Sequence, residues 1–96
     1  MAPFRILKQI KKVMTRTEMK KEVIGRFLEL VKTKYPNYDI DDEGFGRLSF
    51  VDGNQMIQLH RSHFTVDYYN DANQQTKRDA EKMRFDLNSL IGEYGF

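Results

Sequence analysis

Cysteine and tryptophan are both missing from this 96-residue chain, and proline occurs only twice. Without cysteine there can be no disulfide framework and no thiolate metal site, which excludes the small extracellular scaffolds that depend on disulfides. An intracellular, cytoplasmic protein is therefore expected. No run approaches the ~18 apolar residues of a membrane-crossing helix, and the N-terminus lacks the continuous apolar core of a secretory signal, so a soluble chain is expected. Internal repeats, Ser-rich linkers and Pro/Gly-rich tails are also missing. One domain with one modest core follows, because a chain this short buries only ~60 to 65% of its unfolded surface.

What is present is an ordinary globular balance, 40% apolar and 31% charged, with its charge unevenly placed. Residues 1–34 carry ten Lys/Arg against three Asp/Glu, residues 35–71 carry two against seven, and residues 72–96 carry four of each. The overall +2 therefore conceals a basic front and an acidic middle.

Within residues 4–14, Phe4, Ile6, Leu7, Ile10, Val13 and Met14 share half of a helical wheel, and Arg5, Lys8 and Lys12 lie opposite. This predicts an amphipathic cationic helix, taken as a unit of its own over residues 1–14. Thr15-Arg16-Thr17-Glu18 reads as a capping box that opens a second helix. Its apolar side runs through Met19, Val23, Phe27 and Val31 to about Lys34, where Pro36 ends it.

The period then changes to two, with strands expected at 38–41, 45–51, 55–60 and 63–69. Asp52-Gly53 signals a tight hairpin. Closing it there pairs Val51 with Asn54 and Leu48 with Ile57, and the next turn pairs Leu59 with Phe64 and Ile57 with Val66. A last helix is expected from about Ala72 or Thr76 to Ile91, with Gly92 as its stop. The class is α+β: two N-terminal helices, a three- to four-stranded antiparallel meander and a C-terminal helix, with the helices packed mainly on one sheet face. Residues 15–96 form the single small domain.

Two short stretches invite a chemical reading. His60 and His63 flank a predicted turn, but a metal site needs three or four ligands and no third His or Cys exists to join them. Ser62 has no oriented base and buried carboxylate to make it a nucleophile. The pair reads as the exposed end of a hairpin. Asp39-Ile40-Asp41-Asp42-Glu43-Gly44 resembles the start of an EF-hand loop, yet the eighth place is Gly46 and the twelfth is Phe50 instead of a bidentate glutamate. An acidic solvated turn between strands is the expected form. No catalytic residue, cofactor or metal ligand is assigned, and an enzyme is not expected.

The leading expectation is a small interaction protein, an inhibitor or adaptor of the size common in bacteria and their phages, that binds another protein. Its candidate contact residues are Arg47, Met56, His60, His63 and Tyr69 on the sheet face left open by the helices, with Phe85 on the polar side of the last helix. Arg, Met, His and Tyr offer contact area and hydrogen bonds together. A homodimer through the same surfaces fits this reading.

The order helix, three strands, helix, with Lys77-Arg78-Asp79-Ala80-Glu81-Lys82 opening the last helix, resembles the double-stranded RNA-binding domain over about residues 18–91. The resemblance implies that Lys77 and Arg78 grip phosphates across a groove. The chain departs from that family in lacking a histidine in the loop between the first two strands and an alanine-rich face on the last helix. This second expectation, nucleic-acid binding, adds Lys8, Lys11, Lys12, Lys20 and Lys21 as phosphate contacts. Contact with an anionic membrane surface through residues 1–14 ranks third.

Overall fold

The computed structural model describes residues 15–95, and the helix and separate unit expected over residues 1–14 lie outside them. The described chain runs through helix α1 (Arg16–Lys34), strands β1 (Asp39–Gly44), β2 (Arg47–Asp52), β3 (Gln55–His60) and β4 (Thr65–Tyr68), and helix α2 (Gln74–Tyr94). Among the described residues there are thus two helices, and the four strands pair sequentially into one antiparallel meander.

The starts and stops of the helices follow from local chemistry. At α1 the Glu18 backbone N–H donates to the Thr15 hydroxyl at 3.1 Å, and the Thr15 N–H donates to the Glu18 carboxylate at 2.8 Å. This reciprocal pair satisfies two amides that a helix start leaves free, and it holds the Glu18 carboxyl below its ordinary pKa. At α2 the Asn73 side chain accepts from the Thr76 N–H. That helix passes through Gly92, the expected stop, and ends at Gly95, whose φ of 76° is the left-handed cap conformation. Tyr94, in the added turn, donates its hydroxyl to Glu22 on α1 at 2.6 Å, a tertiary tie that carries the helix past the glycine.

Both helices lie on one face of the sheet. Val23, Phe27 and Val31 of α1, spaced four residues apart, meet Leu48, Phe50, Ile57, Leu59 and Val66 from the strands and Ala80, Met83, Leu87 and Leu90 from α2 in one buried cluster. Phe27 and Phe50 form its centre, with ring centroids 6.0 Å apart and edge to face. The helices run antiparallel, since Glu22 and Arg26 meet Tyr94 and Glu93 at one end while Lys34 and Tyr35 meet Asp86 further along.

Register and strand limits differ from the expectation in a systematic way. Val51 faces Met56 and Leu48 faces Leu59, and Leu59 faces Val66 with Ile57 opposite Tyr68, so each hairpin slides by two residues. The first slide arises because Gly53 at φ 62° takes the first turn position and Asn54 the second, leaving Asp52 and Gln55 as the closing pair. In the second, Phe64 adopts φ 53° and ends a four-residue loop, so that His60 faces Thr65. A two-residue slide preserves the alternation of faces, which is why the core remains the expected one. The acidic run Asp39–Gly44 is itself a strand and not a turn between strands, held by pairing with β2 despite the poor strand preference of aspartate.

Candidate functional site

Alternation along β2, β3 and β4 places Arg47, His60 and Thr65 in one cross-strand row on the outer face of the sheet. The next row is Asp41, Ser49, Gln58 and Asp67, followed by Asp39, Val51 and Met56. Tyr69 continues this last row one residue past β4 and is 54% exposed. Val51 and Met56 are half-buried, so the three make a short apolar strip at the end of the face that holds the Gly53 turn. Ser49 lies in the middle of this face, yet it is only 1% exposed and its hydroxyl has no hydrogen-bond partner among the described residues.

His60 is half-buried, and its Nε2 lies 3.4 Å from Asp67 Oδ2, an ion pair whenever the ring is protonated. Asp67 also lies 3.7 Å from the Arg84 guanidinium of α2, while Arg84 Nε donates to the Val66 carbonyl at 2.7 Å. The His60–Asp67 contact is diagonal across the β3–β4 pair and exists only in the observed register, in which His60 faces Thr65. His63 stands exposed in the loop. No group of three or more His, Cys, Asp and Glu among the described residues is arranged to hold a metal ion.

Of the residues named for a protein partner, Arg47, Met56 and His60 therefore share the outer face, Tyr69 extends it, and His63 lies at its rim. Phe85 does not join them. It projects from α2, 72% exposed, on the layer that covers the opposite face of the sheet.

The cations named for nucleic acid separate more widely. Lys20 and Lys21 lie in the first turns of α1, whereas Lys77 and Arg78 open α2, and the antiparallel helices put the two pairs at opposite ends. The eighteen residues of α2 from Lys77 to Tyr94, which touches Glu22, span about 25 Å at the helical rise. Lys8, Lys11 and Lys12 lie outside the described residues.

The end of the molecule near Lys20 holds a feature that alternation does not reveal. The β1–β2 turn is Phe45-Gly46, with φ of 51° and 77°, and the Phe45 ring is 104% exposed. Beside it a cleft of about 400 Å³ opens between α1 and the β3–β4 loop, lined by Thr17, Lys20, Lys21, Ile24, Arg61 and Ser62 together with Gly46. Arg61 is fixed there, with its backbone N–H on the Gly46 carbonyl and its guanidinium 2.6 Å from Asp42. The Gly44 N–H and then this guanidinium hold the Asp42 carboxyl below the usual range. The sequence signal for the tip was a phenylalanine between Gly44 and Gly46, which alternation assigned to the start of a strand.

At the other end, polar groups tie the α1–β1 connection to α2. The Tyr38 hydroxyl donates to buried Asp79 at 2.8 Å, and Gln75 donates to the other oxygen of the same carboxylate. Burial first, and the Asp79 bond second, push the Tyr38 hydroxyl up to about 12. Tyr35, bonded to Asp86, is pushed up further for the same reasons. No helix among the described residues is long and apolar enough to cross a membrane. Comparison of the chain with known protein families, with curated protein sequences and with solved structures returns no match.

Proposed function

We propose that this protein is a small non-enzymatic interaction module, an inhibitor or adaptor, that docks another protein on the outer face of its sheet. The observation that carries this reading is the strip Val51, Met56 and Tyr69 running into Arg47 and the His60–Asp67 pair, on a face that neither described helix covers. A half-apolar strip with a polar rim is the composition from which protein interfaces are built, and Tyr and Arg supply a large share of their hot spots. The nucleic-acid reading has less support, because its two described pairs of cations stand at opposite ends of the molecule and α2 begins with Lys77 half-buried.

The test uses the full chain as bait in host extract, identification of what it retains, and binding isotherms with that purified partner. Tyr69→Ala and Met56→Ala are expected to weaken binding at least tenfold, about 1.4 kcal/mol each. Reversal of Lys20 and Lys21 to glutamate is expected to change affinity less than either. Unchanged affinity after both truncations would move the interface off this face.

A further inference from the structure

We propose that two copies of this chain associate through their β1–β2 tips, the Phe45 ring of each seated in the cleft between α1 and the β3–β4 loop of the other. The tip supplies a knob and the cleft supplies a socket, and the two are chemically matched.

The knob is unusual on two independent counts. Its φ of 51° lies in the region that L side chains avoid, and its ring is fully exposed, packed against none of the described residues. Backbone strain at an exposed aromatic points to a task for that side chain, because the fold itself gains nothing from it. The strand leading into the tip carries Asp41, Asp42 and Glu43, so the ring sits at the end of an acidic arm.

The socket has the opposite character. Ile24 and the side chains of Lys20, Lys21 and Arg61 line it, so aliphatic surface and positive charge come together there. Its 400 Å³ admits an aromatic ring, and cations close to the ring faces favour one. Within its own chain Arg61 engages Asp42 directly, whereas Lys20 lies 5.8 Å over the Phe64 ring and Lys21 stands near Glu18, so the two lysines hold the looser contacts and are the ones to meet the arriving Asp41 and Glu43. Among the described residues Glu43 receives a long 3.5 Å contact from Gln58.

Placement completes the argument. Gly46, the residue after Phe45, lines the cleft, so knob and socket lie side by side on each copy. A two-fold axis passing between them brings each knob to the other socket in one closed, self-complementary contact. The same ring cannot be serving its own cleft, given its full exposure. The contact is small beside a standard interface of about 1,600 Å², so a weak dimer is expected, with half-association between about 10 µM and 1 mM.

Sedimentation velocity on the full chain over that concentration range reads the proposal. The weight-average mass should rise toward the dimer and the rise should shrink as salt increases, since both arms are charged. Phe45→Asn, which suits a left-handed turn and so preserves the fold, should leave a monomer, as should Lys20→Glu combined with Lys21→Glu. An equimolar mixture of these two variants should regain part of the association, because one intact knob then meets one intact socket. A chain that stays monomeric at 1 mM, or a dimer indifferent to Phe45→Asn, would overturn the proposal. So would a chain that dimerises only after residues 1–14 are deleted, since the cleft would then be filled by its own N-terminal segment.

Discussion

Strand β2 is bounded by two two-residue turns that treat the same backbone demand in opposite ways. At the β2–β3 end, Gly53 takes the position with positive φ and Asn54 keeps φ negative. This is the arrangement of a type II′ hairpin, in which glycine carries no steric cost. At the β1–β2 end both turn residues have positive φ, and the first is Phe45. A left-handed conformation costs an ordinary L residue about 1–2 kcal/mol. Leaving the ring in water also forgoes the ~1.5–3 kcal/mol that its burial would contribute. Against a total stability of about 5–15 kcal/mol that is a large concession. The Gly53 turn is explained by folding alone; the Phe45 turn is not, and the proposed contact with a second copy would account for it.

The comparison can be broken most severely from beneath. Phe27→Ala opens a hole against Phe50, the β2 residue midway between the two turns, and should cost about 3–5 kcal/mol, read as a lower denaturation midpoint by urea titration. Next comes the tie at the Gly53 end. Tyr38→Phe removes the hydrogen that buried Asp79 receives and should cost about 1–3 kcal/mol at neutral pH.

The same tyrosine sets an alkaline limit. Its folded pKa of about 12 stands above the ordinary 10, so the neutral hydroxyl is the form the fold favours. Its stabilising effect is therefore complete below pH 10 and is lost as pH rises from 10 through 12. Unfolding curves collected from pH 8 to 12 should fall over that window, and less steeply in the Phe variant, with Tyr35 and Tyr94, both also raised, contributing to the remaining decline.

The turns themselves then separate by sign. Gly53→Ala should destabilise by about 1–2 kcal/mol, because a Cβ is strained at φ 62° although nothing crowds it. Phe45→Asn, which creates an asparagine–glycine pair, should stabilise by about 1 kcal/mol. In a domain of this length each kilocalorie corresponds to roughly 4–8 °C in melting temperature, so calorimetry resolves both. A Phe45→Asn variant that melts below the parent would mean that the ring supports the fold after all.

Alternation and helical spacing made much of this architecture legible. Val23, Phe27 and Val31 follow from four-residue spacing, the capping box from Thr15 and Glu18, and the inner face from the parity of Leu48, Phe50, Ile57, Leu59 and Val66. Register was harder to read, because a slide of two residues buries the same side chains. That slide also governs which polar groups meet, and so the His60–Asp67 contact could not be read from spacing. The acidic β1 strand was hidden because its pairing with β2 outweighs the local preference of aspartate. On the site side, parity was enough to group Arg47, Met56 and His60 on the open face and to leave Phe85 on the helical layer across the sheet from them. The Phe45 tip needed a dihedral angle, which composition does not encode.

The flanks of the sheet have a consequence for how copies can meet. Arg84 occupies the outward Val66 carbonyl on one border, and Asp39, Asp41, Asp42 and Glu43 crowd the other with negative charge. Neither border welcomes an added strand from a neighbour, which is how sheets lengthen into ribbons and fibres. Contact is left to the broad face and the tips, so assemblies of this protein should stay small and countable however concentrated it becomes.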